Sequence, residues 1–240
     1  MSDMPDETPL LLYGVLGADA AADEALQAAI DEHGRQGAPL TLLPCGALAV
    51  LASPLHDPSA LRRPDVDTVL AYKEAIDAAY AARPLVPLRF GTWVASPQEA
   101  RTLIGECAEA CKNHLRRFDG RVEMGLRLTV DAEQAPTPNS EARDAASGTA
   151  YLQARKRHHD RTRRPLREAL RSYRAAVTPL VVEETVDERA GDNVLSAVFL
   201  VPRTSAVAFR RRAAAVEVSA LDESQVVGPW APFTFASLTL

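Results

Sequence analysis

Three kinds of side chain in this sequence are of a type that can do chemistry: thiols, imidazoles and a dense run of guanidiniums. Cys107 and Cys111 are spaced i,i+4, which brings two side chains onto one face of a helix. Two thiols so placed could share a soft metal ion if other ligands converged on them. They fall, however, in a stripe of Ala100, Leu103, Ile104, Ala108, Leu115 and Phe118, where cysteine behaves as a small hydrophobe. Core packing is therefore the expected role. The third cysteine, Cys45, belongs to no CxxC arrangement, and three thiols cannot all pair, which suits a reducing cytoplasm. His158 and His159 are adjacent, so on a helix they point about 100° apart and cannot chelate one metal ion together. A lone histidine could serve a haem iron. Two imidazoles within an Arg-rich helix read first as surface groups.

The guanidiniums are Arg155, Arg157, Arg161, Arg163, Arg164, Arg167, Arg171 and Arg174, joined by Lys156 and opposed only by Asp160 and Glu168. Such a density could bind nucleic acid or an acidic partner. Arg163, Arg167, Arg171 and Arg174 are expected to share one face, solvated or docked on acidic patches. An RNA-binding module on a ferredoxin-like sheet stacks bases on paired aromatics of its central strands. Here those strands offer Phe199 and no second ring, so nucleic acid is not expected. Arg89, between Leu88 and Phe90 and followed by Gly91 and Trp93, could present its fork to a carboxylate or to backbone carbonyls of a partner. The alternative is an internal ion pair, with Glu123 or an acid of the helix that follows. No nucleophile elbow, phosphate-binding loop or glycine-rich dinucleotide loop occurs. Catalytic residues, bound metal and cofactor are accordingly not expected.

These residues must be positioned by an α+β framework. Leu10 to Leu16 reads as a buried strand, residues 21–35 as a helix, and residues 39–43 and 47–52 as a hairpin about Pro44–Cys45–Gly46. Asp65 is placed to cap a second helix with Val66, Val69, Leu70, Ile76 and Tyr80 on its buried face. Leu85 to Phe90 closes the unit as a strand. The order βαββαβ is the ferredoxin-like arrangement, an antiparallel sheet with both helices on one face. One long helix is expected from Pro97 to Phe118, with Ser96 as cap and Asp119–Gly120 as stop.

The same order then recurs. Residues 121–130 alternate Val122, Met124, Leu126, Leu128 and Val130 inward with Glu123 and Arg127 outward. A polar loop over 131–147, a helix over 147–176, strands over 177–186 and 194–201 joined across Gly191–Asp192–Asn193, a helix over 204–214 and a strand over 215–221 follow. The reading is two ferredoxin-like domains with antiparallel sheets, residues 8–95 and 120–225, bridged by the 96–119 helix. The end, residues 226–240, has no charged residue and contains Trp230, Phe233 and Phe235. It either packs on its own domains or offers apolar surface to something else.

Bulk properties agree with a soluble globular protein: 240 residues, 47% hydrophobic and 25% charged, net charge −5. No run reaches the roughly 20 apolar residues of a membrane helix, and the acidic MSDMPDETP start lacks the order of a secretory signal. A membrane partner is not expected.

Four stretches resemble the GvpF/GvpL family of gas vesicle proteins: PLVPLRFGT around residues 84–92, GRVEMGLRL at 120–128, SGTAYLQARKR at 147–157, and GPWAPFTF at 228–235. LSAVFLVP at 195–202 is similar to the family's penultimate strand. The family usually has an aromatic where Met124 stands, and Ala231, Phe233 and Thr234 depart from its terminal pattern. The resemblance implies a cytoplasmic, non-catalytic accessory or minor structural protein of the gas vesicle. Its implied partners are the small hydrophobic shell protein and other gas vesicle accessory proteins. Candidate contact residues are Arg89, Phe90, Trp93, Glu123, Arg163, Arg167, Arg171, Trp230, Phe233 and Phe235. The competing classes are a haem or small-molecule enzyme on a tandem ferredoxin-like scaffold and an RNA-binding module using the Arg-rich helix.

Overall fold

The computed structural model describes residues 8–36, 39–130, 148–187 and 193–238. The loop expected over 131–147 and the Gly191–Asp192 part of the second hairpin turn lie outside them. The chain divides into two compact units, Met1–Arg121 with Trp230–Leu240, and Val122–Pro229.

In the first unit, β1 (Leu10–Gly17) pairs antiparallel with β3 (Leu48–Pro54), and β3 with β2 (Thr41–Cys45). Helix α1 (Glu24–Gln36) separates β1 from that hairpin. Helix α2 (Val66–Ala82) leads from it to β4 (Val86–Pro87), giving the order β2-β3-β1-β4. This is the ferredoxin-like strand order. The continuous strand expected over residues 85–90 is interrupted. β4 covers only Val86–Pro87, and β5 (Trp93–Val94) resumes pairing with β1 at Leu10 and Leu11. Between them the Thr92 amide donates to the Arg89 carbonyl at 3.1 Å, closing a turn whose Gly91 has φ +85°. A side chain there would be strained, and Pro87 has no amide to extend the ladder.

Asp65 caps α2 as expected, accepting from the Thr68 amide at 2.7 Å; such a cap contributes about 1 kcal/mol. The buried face differs from the expected one. Tyr72, Ala75, Ile76, Ala79 and Tyr80 are buried, a set at i, i+3, i+4, i+7 and i+8. Val66 is 73% exposed, and Val69 and Leu70 are exposed too. The tyrosine hydroxyls select that face. Tyr72 donates to the Leu12 carbonyl at 2.8 Å and Tyr80 to those of Phe118 and Arg121 at 2.8 Å. Rotating the helix to bury Val66 and Leu70 would break these bonds and strand buried carbonyls.

The single helix expected over 97–118 is two, α3 (Pro97–Glu106) and α4 (Ala108–Phe118). The break is at Cys107, with φ −102° and ψ 12°. Ser96 caps α3 through the Glu99 amide at 3.2 Å. Both helices belong to the first unit.

The second unit holds β6 (Arg121–Thr129), α5 (Gly148–Val177), β7 (Glu183–Asp187), β8 (Val194–Pro202), α6 (Ala206–Ala214) and β9 (Glu223–Trp230). Its order, β7-β8-β6-β9, repeats that of the first sheet. The last strand is displaced from the expectation. Residues 215–221 form turns, and β9 takes the place beside β6. Proline is tolerated in β9 because the strand is an edge. A Cβ on Gly228, which has φ +101°, would lie 2.6 Å from the Glu123 carbonyl oxygen; only glycine allows β9 to approach β6 this closely. The uncharged end of the chain is thus split between a sheet edge and the segment that follows it.

Candidate functional site

The apolar end is held down. Residues 231, 232 and 235 are buried in the first unit. The Ala231 amide donates to Asp77 Oδ1 at 2.8 Å, and Arg117 Nη1 donates to the Phe235 carbonyl at 3.2 Å. The Lys73 ammonium sits 4.6 Å from the centre of the Trp230 ring and is ion-paired with Asp77. Burying Phe235 contributes on the order of 2 kcal/mol. Phe233 is half-buried and Trp230 likewise.

Lys73 and Asp77 continue a line that begins with Val66 and Leu70, at i, i+4, i+7 and i+11 of α2. These positions form one stripe of the helix. The chain's end covers the stripe at Lys73 and Asp77 and leaves it open at Val66 and Leu70, with Val69 beside them. Nothing in the sequence pattern of α2 marks that division. The signal was the competing pair Tyr72 and Tyr80, eight residues apart and both able to reach carbonyls.

Between the 57–62 segment that precedes α2 in the chain and the 91–93 turn is an open cavity of about 450 Å³, lined by Pro58, Ser59, Leu61, Arg62, Gly91 and Trp93 together with Asp57. Trp93 is 44% exposed. The Asp57 carboxyl is held below the usual carboxylate range by hydrogen bonds from the Ser59 hydroxyl and amide, and the Arg62 guanidinium on the same lining brings the opposite charge. Phe90 is half-buried, edge-on to Tyr72 with ring centres 5.1 Å apart. Arg89 is exposed at the first position of the 89–92 turn. Among the described residues it has no ion pair. Of the Arg89, Phe90 and Trp93 candidates, Trp93 lines this depression, while Arg89 and Phe90 stand in the adjoining 89–92 turn.

The remaining candidates separate. Glu123, expected to face outward, is only 4% exposed in β6. Its neighbours Val122 and Met124 are buried as well, and β6 is a central strand, between β8 and β9. Arg163 is also 4% exposed and donates toward the Val194 carbonyl at 3.5 Å. It lies on the core stripe of α5 with Leu166, Leu170, Tyr173 and Val177, at the 3- and 4-residue spacing that overrides its charge. Arg167 and Arg171 are exposed, so the expected four-arginine face does not exist as a unit. Arg164 pairs with Glu168 at 2.9 Å and Arg174 with Glu184 at 2.7 Å. Phe199 is buried against Phe209 and offers no stacking surface. The side chains of His158 and His159 lie outside the described residues. Among the described residues no group of three potential ligands gathers about a metal site, and no helix is long and apolar enough to cross a membrane.

Two successive α+β units with one shared strand order define a tandem arrangement, and comparison with known proteins supplies the family. Residues 9–237 match the model of the gas vesicle synthesis protein GvpL/GvpF family, and the chain belongs to that family. It is 29% identical over 233 residues to gas vesicle protein L of Streptomyces sp. (strain CB03234), covering 86% of each chain. Its fold is similar to the crystal structure of gas vesicle protein GvpF from Anabaena sp. PCC7120, with a TM-score of 0.75 at 16% identity, covering 97% of this chain and 98% of that one. GvpF from Microcystis aeruginosa gives a TM-score of 0.72 at 17% identity, covering 96% and 100%. Membership of this family supports a role in gas vesicle assembly.

Proposed function

We propose that this chain is a non-catalytic assembly factor that binds the hydrophobic shell subunit of the gas vesicle through the first unit. The observation that carries the reading is the uncovered apolar end of α2, Val66, Val69 and Leu70, in a protein of the gas vesicle synthesis family. Exposed valine and leucine clustered on one helix mark a contact surface more often than a solvent face. Trp93 and the depression it lines lie next to the approach to α2, and an aromatic on such a rim suits an anchoring contact. Arg89 adds a donor fork at the same edge. Burial of the chain's own apolar end removes it as a loose binding ribbon. The contact surface moves to the part of α2 that this end leaves open.

Binding of a solubly tagged shell subunit to the full chain, at low and high salt, tests the reading. An apolar contact survives high salt, because screening weakens only charge pairing. Absence of binding at either salt, or binding abolished by salt, overturns it.

A further inference from the structure

All three cysteines of the chain lie in the first unit, and two of them touch. Cys107 Sγ and Cys111 Sγ are 3.5 Å apart, and the Cys111 amide donates to the Cys107 carbonyl at 2.9 Å. That bond preserves helical i,i+4 spacing, which sets the two Cα atoms about 6 Å apart. A disulfide spans Cα separations of roughly 4.4–6.8 Å. It also needs Cβ atoms about 3.5–4.5 Å apart, closer than the roughly 5–6 Å of i,i+4 helix neighbours, so closure requires Cys107 to shift. The sulfurs need to close by about 1.5 Å to reach bonding distance. Cys107 has room to do so, because it stands at the break between α3 and α4, outside regular helix.

The two thiols are unlike in access. Cys111 is fully buried, whereas Cys107 is half-buried, its thiol 3.6 Å from the Ile104 carbonyl. We propose that this pair is a redox modification site, at which a peroxide oxidises Cys107 and Cys111 closes onto it as a disulfide within the helix. In the first step the Cys107 sulfur attacks the O–O bond. It becomes a sulfenic acid, and the peroxide leaves as water. In the second step the Cys111 sulfur attacks the sulfenic sulfur. The S–O bond breaks, and the departing hydroxide takes the Cys111 proton as a second water. Two thiols have lost two hydrogen atoms, and one hydrogen peroxide has become two waters.

The surroundings assign the order. Burial, with the hydrogen bond and charge of Cys107 adding to it, pushes the Cys111 thiol up to about 12. A thiol so held is a poor nucleophile toward free peroxide, and its contact with Cys107 at 3.5 Å is what fits it to be the resolving partner. Cys45, half-buried at the end of β2, is the competing partner. Burial raises its thiol, Arg101 opposes that rise, and Cys107 is near enough to act on it. Cys107 and Cys111 nevertheless are the pair already in contact. The bridge would stiffen the first turn of α4, the helix whose Arg117 grips the Phe235 carbonyl.

The test treats the full chain with stoichiometric hydrogen peroxide, alkylates free thiols and digests after Lys and Arg. Residues 102–112 then carry both cysteines in one peptide. The expected product is that peptide lighter by two hydrogen atoms and unalkylated, restored by dithiothreitol, with Cys45 still alkylated. Cys111→Ala should instead accumulate a dimedone-reactive sulfenic acid at Cys107, and Cys107→Ala should leave Cys111 reduced. A Cys45–Cys107 bridge, or a wild-type peptide still alkylated at both positions, overturns the proposal. So does oxidation of Cys111 in Cys107→Ala. The wild-type digest decides the bridge without any variant.

Discussion

Two apolar stretches of the first unit have opposite surroundings. Residues 231–235 carry no charge and are clamped by Asp77 and Arg117, whereas Val66, Val69 and Leu70 at the start of α2 stand open. Both carry bulky apolar side chains. The difference lies in backbone partners: the terminal segment has an amide for Asp77 and a carbonyl for Arg117, so its apolar side chains are held against the unit. The start of α2 has its own backbone satisfied by the helix and the Asp65 cap, and among the described residues no segment covers it. Hydrophobicity supplies the driving force, and polar anchoring decides where it is satisfied internally.

The sharpest way to break this contrast is to loosen the clamped stretch. Phe235→Ala should destabilise the first unit by about 3 kcal/mol, the cost of an emptied aromatic site, read as a lowered denaturant midpoint. A change below about 1 kcal/mol would mean that the terminal segment is not part of the core. Asp77→Ala removes the acceptor of the Ala231 amide and the ion pair with Lys73. It should cost about 1 kcal/mol, with faster amide exchange at Ala231. Leu70→Asp should leave the midpoint within about 0.5 kcal/mol of wild type, because that side chain touches little. A larger loss would place Leu70 in the core and close the proposed surface.

Much of this architecture was legible from residue patterns. Asp65 and Ser96 announced helix starts because capping is a local matter of one side-chain oxygen and one amide. The alternation Val122, Met124, Leu126, Leu128 marked a strand for the same reason. What stayed hidden depended on distant partners. Glu123 read as outward because strict alternation assumes one solvent face, and residues 122–126 of this central strand are all buried. Arg163 read as surface because its charge masked a core position of α5. The open stripe of α2 was misassigned because a helical wheel cannot tell which face two tyrosine hydroxyls will anchor. The final strand was missed because its place beside β6 depends on Gly228, whose role appears only when Glu123 lies against it.

A subtler effect concerns the cap. Hydrogen bonds from the Thr68 side chain and then its amide hold the Asp65 carboxyl below the usual aspartate range. A depressed carboxyl stabilises above its unfolded value and loses that contribution as pH falls through its folded value. The protection factors of the first-turn amides of α2, exchange rates taken relative to the intrinsic rate at each pH, should therefore fall below about pH 4. In Asp65→Ala that step should vanish.

The most direct test of the central claim is the affinity of a tagged shell subunit for wild type, Leu70→Asp and the double variant Arg167→Ala/Arg171→Ala, each at low and high salt. The account predicts a loss of about 2 kcal/mol, roughly thirtyfold in Kd, for Leu70→Asp alone, with the arginine variant and high salt leaving binding intact. Wild-type affinity in Leu70→Asp, or binding lost with the arginines and at high salt, would contradict it and move the contact to the exposed arginines of α5.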